Sequence, residues 1–257
     1  MKTLRVYEEN QVAYVSIDRP PANALASDLL EDLSAMFDSI EENEDVRVVV
    51  LYGEGKFFSA GADIKEFTTV TSEGDFSALS KRGQDLFERI ERFKKPVIAA
   101  IHGAALGGGL ELAMSCHLRY VTERAKLGLP ELQLGLIPGF AGTQRLTRFV
   151  GASKAAEMMF TSEPISGLEA VEAGLANKSF KDEELMDAVK EIAGKIAGKS
   201  PIALEKAIHL INYSKHEQYY KGVDEEAIQF GKIFVTEDAK EGIHAFLEKR
   251  LPIFKGK

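Results

Sequence analysis

The sequence predicts an α/β fold, with a coiled core of strand–strand–helix units over residues 1–195 and a helical region over residues 196–257. Three observations carry this reading. Continuous apolar runs at 46–51 and 97–101 suit strands buried on both faces. Amphipathic helical patterns alternate with them through the first two thirds of the chain, which suits a layered α/β core. Beyond residue 140 the strand signal nearly vanishes and helices dominate.

Residues 11–17 alternate apolar and polar like a half-buried strand, and Asp18-Arg19-Pro20-Pro21 turns the chain. A helix starts near Ser27, because Leu29, Leu30, Leu33, Met36, Phe37 and Ile40 share one face. The β-branched strand at 46–51 follows, closed by Gly53-Glu54-Gly55. Residues 68–75 are polar and weakly patterned, a mobile surface loop by expectation. It precedes a helix carrying Leu86, Phe87, Ile90 and Phe93 that Pro96 stops. Buried strands are expected at 97–101 and 117–121. Later, Ser166-Gly167-Leu168-Glu169 reads as a capping box, and Leu204, Ile208 and Ile211 mark another helix.

Composition excludes several function classes. With 257 residues, 45% of them apolar, the chain can bury a full core. Lys and Arg number 32 against 40 Asp and Glu, a net charge of −8, so no basic field speaks for nucleic acid. The single cysteine, Cys116, rules out an internal disulfide and reads as a small core residue. Charge within Met1-Lys2-Thr3-Leu4-Arg5 leaves no signal-peptide core, so a cytoplasmic location is expected. The longest apolar window, 97–114, holds His102, Glu111 and several glycines, which argues against a membrane span.

Glycine-rich turns invite a nucleotide-binding reading that fails on spacing. Gly103-Ala104-Ala105-Leu106-Gly107-Gly108-Gly109 follows a strand and opens a helix without the Gly-x-Gly-x-x-Gly pattern. No P-loop spacing or metal-binding histidine pair occurs, and Phe57-Phe58-Ser59-Ala60-Gly61 misses a nucleophile elbow at its first position. His102 reads as a hydrogen-bonded core histidine.

What such glycines can supply is free backbone N–H groups. Gly108 lies at a predicted helix N-terminus, and Gly61 lets the Ser59-Ala60-Gly61-Ala62-Asp63 turn approach a ligand closely; an oxyanion hole and a pair of ordinary tight turns are equal alternatives on the glycines alone. Glu111 has Gly107, Gly108, Met114 and Ser115 as helical neighbours, so no cation pairs with it on the helix. A buried carboxyl there is costly without a task, the alternative being stabilisation by the helix N-terminus. Glu131, after Pro130, taken alone is a solvated turn residue. As a pair, two carboxyls in different protonation states can handle a water molecule and a carbon-bound proton, the needs of adding or removing water at an activated double bond.

Four ordered motifs bring these residues together: Phe58-Ser59-Ala60-Gly61-Ala62-Asp63-Ile64-Lys65-Glu66, Gly107-Gly108-Gly109-Leu110-Glu111-Leu112-Ala113, Pro130-Glu131-Leu132, and Gly135-Leu136-Ile137-Pro138-Gly139 followed by Gly142-Thr143-Gln144-Arg145-Leu146. The chain resembles the crotonase superfamily over nearly its whole length, and within it the enoyl-CoA hydratases. The resemblance implies a spiral of strand–strand–helix turns with a C-terminal helical trimerisation region. It implies that the amides of Ala60 and Gly108 hold the thioester oxygen, that Glu111 positions and activates water, and that Glu131 donates a proton to the α-carbon. Substrate-binding residues implied are Ala60, Gly61, Ala62, Asp63, Ile64, Phe246 and Lys249, the last two reaching a neighbouring subunit's acyl-CoA site. No metal or cofactor is implied, since the coenzyme A thioester is the substrate. The assembly implied is a dimer of trimers, with no nucleic-acid or membrane partner.

Phe140 and Leu129 depart from the family pattern, where a small and a polar residue are common, and both bear on acyl-pocket shape. Having both glutamates favours hydration over isomerisation or another acyl-CoA lyase reaction. A non-catalytic acyl-CoA- or RNA-binding role leaves the glutamate pair unexplained. The chain also ends before any fused dehydrogenase portion.

Overall fold

The structure is a computed structural model that describes residues 1–68, 72–212 and 217–253. In chain order its strands are β1 (Leu4–Glu9), β2 (Val12–Ile17), β3 (Val48–Gly53), β4 (Phe57–Ser59), β5 (Val97–Ile101), β6 (Ala104–Leu106), β7 (Leu118–Thr122), β8 (Lys126–Gly128), β9 (Ile165–Ser166) and β10 (Lys178–Phe180). Between and after them run helices α1 (Ser27–Glu42), α2 (Ile64–Phe67), α3 (Glu73–Glu91), α4 (Gly108–Ser115), α5 (Gly142–Thr161), α6 (Gly167–Glu172), α7 (Leu185–Ala197), α8 (Pro201–Asn212), α9 (Glu217–Phe234) and α10 (Glu237–Glu248). A 3-10 turn spans Glu131–Leu134.

From β3 to β8 successive strands alternate between two sheets. The larger has the order β1-β2-β3-β5-β7-β10 and the smaller β4-β6-β8-β9. Pairing in the larger sheet is parallel except for the β1–β2 hairpin. Each of the pairs β3–β4, β5–β6 and β7–β8 therefore gives one strand to each sheet before a helix returns the chain. This is the spiral that the sequence predicts.

The unbroken apolar strands make sense once both faces of the larger sheet are considered. Val49, Leu51, Val97, Ala99 and Ile101 face the main core with α1, while Val48, Val50, Ile98 and Ala100 face Leu185, Val189 and Ala193 of α7. Each fully buried Val, Leu or Ile contributes roughly 1.5–3 kcal/mol of hydrophobic stabilisation. α1 buries the six residues its periodicity marked, and the Ser166–Glu169 capping box forms with both reciprocal bonds. The strand expected at 46–51 begins two residues later, and β1 carries mostly exposed side chains that left no buried pattern to read.

Residues 69–71 of the loop expected at 68–75 lie outside the described residues, and Ser72 already caps α3 through the Asp75 amide. The boundary expected after residue 195 falls in the last turn of α7. Past it, α9 packs along α3 and α10 against the 3-10 turn. A third apolar cluster, including Phe76, Leu79, Leu136, Phe230, Phe234 and Ile243, joins these helices to the core. In α8 only Ile208 is buried, whereas Leu210 and Ile211 are exposed.

Candidate active site

β4 delivers the Ser59–Asp63 turn, and β6 delivers the start of α4 beside it. Their approach depends on missing side chains. Gly61 has φ +100°, and a Cβ there would lie 2.8 Å from the Leu106 carbonyl oxygen and 3.4 Å from the Gly108 nitrogen. Gly107 caps α4 with φ 51° and ψ −129°, outside the range of an ordinary side-chain-bearing residue. Its carbonyl accepts from the amides of Leu110 and Glu111. Gly108, the first helical residue, has no intrahelical acceptor for its own N–H.

The backbone of the Ser59–Asp63 turn decides which further amide is available. The Ala60 N–H donates to the Ala22 carbonyl at 3.0 Å, so it is committed within the protein. Leu25 bridges the turn in parallel: its amide donates to Gly61 O at 2.7 Å, and its carbonyl accepts from the Asp63 amide at 3.0 Å. That pairing turns the intervening Ala62 N–H away from Leu25 and leaves it to a ligand. The Ala60 amide, expected to hold a ligand oxygen, is thus taken up within the protein, while the alternation of an extended chain turns the amide two residues on, that of Ala62, the other way.

Glu111 is 1% exposed. Its Oε1 accepts from the amides of Phe140 at 2.8 Å and Gly142 at 2.6 Å. Ala141 between them adopts φ 70°, which aims both flanking N–H groups at one oxygen. The loop is fixed from behind: Ser80 Oγ and Gln84 Nε2 of α3 both donate to the Gly139 carbonyl, the latter at 3.1 Å, and Arg145 Nη1 donates to the Phe140 carbonyl at 2.8 Å. Glu131, half-buried at the start of the 3-10 turn, brings Oε1 to 2.8 Å from where a Cβ on Gly107 would stand.

Both glutamates line one cavity of about 1020 Å³. Ala60, Gly61, Ala62, Asp63, Ile64 and Gly108 line it as well, together with Arg19, Lys65, Leu79, Phe140 and Phe230. Charge is grouped on one side, where Arg19 pairs with Asp63 at 3.0 Å and with Asp28 at 3.0 Å. Phe246 lines the cavity of its own chain, because α10 folds back on the 3-10 turn that carries Glu131. Lys249 is the exposed C-cap of α10, with φ 57°, and is not part of the lining. The half-buried His102 bonds Gly55 O at 2.9 Å, a local tie outside the cavity.

The match of known families to the chain agrees with this arrangement: the profile of the Enoyl-CoA hydratase/isomerase family covers residues 7–257. The chain belongs to that family. A probable enoyl-CoA hydratase of Bacillus subtilis is 55% identical over all 257 residues, covering 100% of both chains. A short-chain-enoyl-CoA hydratase of Clostridium acetobutylicum is 44% identical over 95% of this chain and 94% of its own. The crystal structure of an enoyl-CoA hydratase from Bacillus anthracis is 38% identical, covers 99% of this chain and 100% of its own, and superposes with a TM-score of 0.79. The spiral is therefore the crotonase fold of this family of enoyl-CoA hydratases and isomerases. Among the described residues of this family member, no group of three or more His, Cys, Asp or Glu side chains is placed to hold a metal ion. No described helix is long and apolar enough to cross a membrane.

The residue pattern and the family motifs both pointed to the glutamates and to Gly108. The anchoring amides of Phe140 and Gly142, the Ala62 amide and Arg145 behind the loop became evident only from the structure. The Pro138-Gly139 turn was their one local signal.

Proposed function

We propose that this chain is an enoyl-CoA hydratase that adds water reversibly across the 2,3 double bond of a trans-2-enoyl-CoA to give a 3-hydroxyacyl-CoA. The observation that carries the proposal is the pair of glutamates in one cavity beside the open N-terminus of α4, one of them held by two backbone amides. In this reading the thioester oxygen accepts from the Gly108 and Ala62 N–H groups. These bonds strengthen as negative charge develops there, and one such donor typically contributes about 2.7–4 kcal/mol to transition-state stabilisation. The α4 dipole adds to the same field.

Glu111 orients the water that attacks the β-carbon. Because the Phe140 and Gly142 amides hold one oxygen, the other end of the carboxylate is fixed in direction before water arrives. As the new carbon–oxygen bond forms, the double-bond electrons move toward the thioester, and Glu131 delivers its proton to the α-carbon. The proton lost by water restores the resting state of the pair. Two neighbouring carboxyls in a largely apolar cavity share one proton more readily than both ionise, which supplies an acid and a base together.

No metal or nicotinamide takes part in this scheme. The exposed apolar residues Ile202, Leu210, Ile211 and Leu251 near the C-terminus support assembly into a homohexamer of 28.2 kDa chains, measurable by light scattering. The charge of −8 opposes nucleic-acid binding, and a cytoplasmic location is part of the same proposal. The deciding experiment is incubation of the metal-free protein with crotonyl-CoA. The absorbance of the conjugated thioester falls if the proposal holds; a constant absorbance, or turnover only on adding metal or NAD, overturns it.

A further inference from the structure

We propose that Phe140 is the specificity-determining wall of the acyl subsite, set against Gly83 of α3, and that it confines the site to short, unbranched 2-enoyl chains. The inference rests on the hydratase reading above and adds the substrate class to it. Phe140 is 5% exposed, yet it lines the cavity. Its ring meets Phe87 edge to face, with centroids 5.4 Å apart and planes at 76°. On the α3 side it occupies the space beside Gly83, where an added Cβ would come within 2.5 Å of Phe140 Cε1. On the cavity side a Cβ on Gly108 would lie 3.1 Å from Phe140 Cδ2. The ring therefore fills the width between α3 and the first residue of α4.

The position of the ring relative to the chemistry follows from two contacts. The thioester oxygen sits at the Gly108 amide, and the attacked β-carbon faces Glu111, whose Oε1 is bonded by Phe140's own N–H. Both reacting positions thus adjoin this one residue, so an acyl chain meets the ring in the first carbons past its double bond. Arg19, Asp63 and Lys65 also line the cavity, and these charged groups suit the polar part of the thioester. Behind the ring, the fully buried Phe87 leaves no room for retreat, because packed cores do not absorb added volume without strain. Gly83 makes the wall possible: any side chain there would push the ring into the cavity.

The test compares kcat/KM for 2-decenoyl-CoA and crotonyl-CoA across four proteins: the unaltered chain, Phe140→Ala, Gly83→Ala and the double variant. Apolar discrimination is worth about 10–200-fold per methylene. Phe140→Ala should raise the decenoyl-to-crotonyl ratio by at least about 10-fold, Gly83→Ala should lower it, and residue 83 should lose its influence once Phe140 is removed. A ratio unchanged within about twofold in folded Phe140→Ala overturns the proposal, as does an effect of Gly83→Ala that persists without the ring. If Phe140→Ala does not fold, Phe140→Leu carries the same comparison. Calorimetric binding of butyryl-CoA and decanoyl-CoA, which cannot be hydrated, reads the wall directly. An unaltered chain that binds butyryl-CoA yet leaves crotonyl-CoA unchanged removes the hydratase reading, while the shift in binding preference on Phe140→Ala still decides for or against the wall.

Discussion

Arg145 donates from Nη1 to the Phe140 carbonyl at 2.8 Å, and the amide of the same Phe140 donates to Glu111 Oε1 at 2.8 Å. A cation thus reaches the proposed water-handling carboxylate through the backbone of a single residue, Phe140. Arg145 is fully buried, with Glu91 at 3.2 Å and Glu88 at 3.6 Å, and Arg148 also pairs with Glu91. Removing one member of a buried pair typically costs about 3–5 kcal/mol. Arg145→Met should therefore lower the urea midpoint strongly. Arg145→Lys keeps the charge but loses the fork; it should stay folded and lose up to about 10²-fold in kcat with little change in KM, because the loop that orients Glu111 is misplaced. A kcat equal to that of the unaltered protein would show that the loop holds its position without Arg145.

Substitutions at glycines separate the two carboxylates without altering either. A Cβ on Gly107 would stand 2.8 Å from Glu131 Oε1, and one on Gly142 would stand 2.7 Å from Glu111 Oε1. Gly107→Ala also places a side chain at φ 51°, a strain of about 1–3 kcal/mol. Both variants should lose hydration activity, with Gly142→Ala acting through water and Gly107→Ala through the carbon-bound proton. Solvent deuterium incorporation at the α-carbon of the saturated product end separates them: Gly142→Ala should retain exchange at this carbon and Gly107→Ala should not.

Direct removal of the carboxyls gives the complementary result. If Glu111 handles water and Glu131 the carbon-bound proton, Glu111→Ala should abolish hydration yet keep some double-bond shift on a 3-enoyl-CoA, since isomerisation needs no water. Glu131→Ala should lose both. One positioned acid or base typically contributes about 10²–10⁴-fold in rate. Near-normal hydration by Glu131→Ala would refute this division of roles, provided acyl-CoA binding is intact in both variants.

Burial pushes the Cys116 thiol up to about 12, against the smaller opposing pull of Arg119 and Arg145. The folded chain keeps this proton where the unfolded chain, with an ordinary thiol near 9, loses it. Stability from this group is accordingly full below pH 9 and declines as pH rises toward 12, by at most about 1.4 kcal/mol per pH unit. Urea midpoints at pH 8 and pH 10 should draw closer together in Cys116→Ala than in the unaltered protein. Iodoacetamide should leave the native thiol unmodified at pH 8 and label it once urea unfolds the chain.

The parts of this structure legible in the sequence are those governed by local periodicity. α1 shows its six buried residues at helical spacing, and the Ser166 cap announces α6. Glu111 stood out because no cation lies three or four residues away, and it is indeed buried. What holds it was not legible: its amide donors lie 29 and 31 residues on, and they converge only because Ala141 takes a left-handed conformation that alanine rarely adopts. The choice between the Ala60 and Ala62 amides was hidden for a related reason. It depends on which face of the turn meets Leu25, a pairing without a local sequence signature. The short strands β4, β6, β8 and β9, of two or three residues each, fall below the length at which alternation can be read.

The return of α9 and α10 over the core separates the protein's chemistry from its enclosure in time. Both glutamates and the loop that anchors Glu111 are made by residue 142, whereas Phe230, Phe246 and Leu247 complete the cavity from the far end of the chain. During synthesis on the ribosome, the residues of the acid–base pair are made long before those that close the chamber. Changes at the cavity-lining positions of α9 and α10 can remodel what the chamber admits without replacing either glutamate.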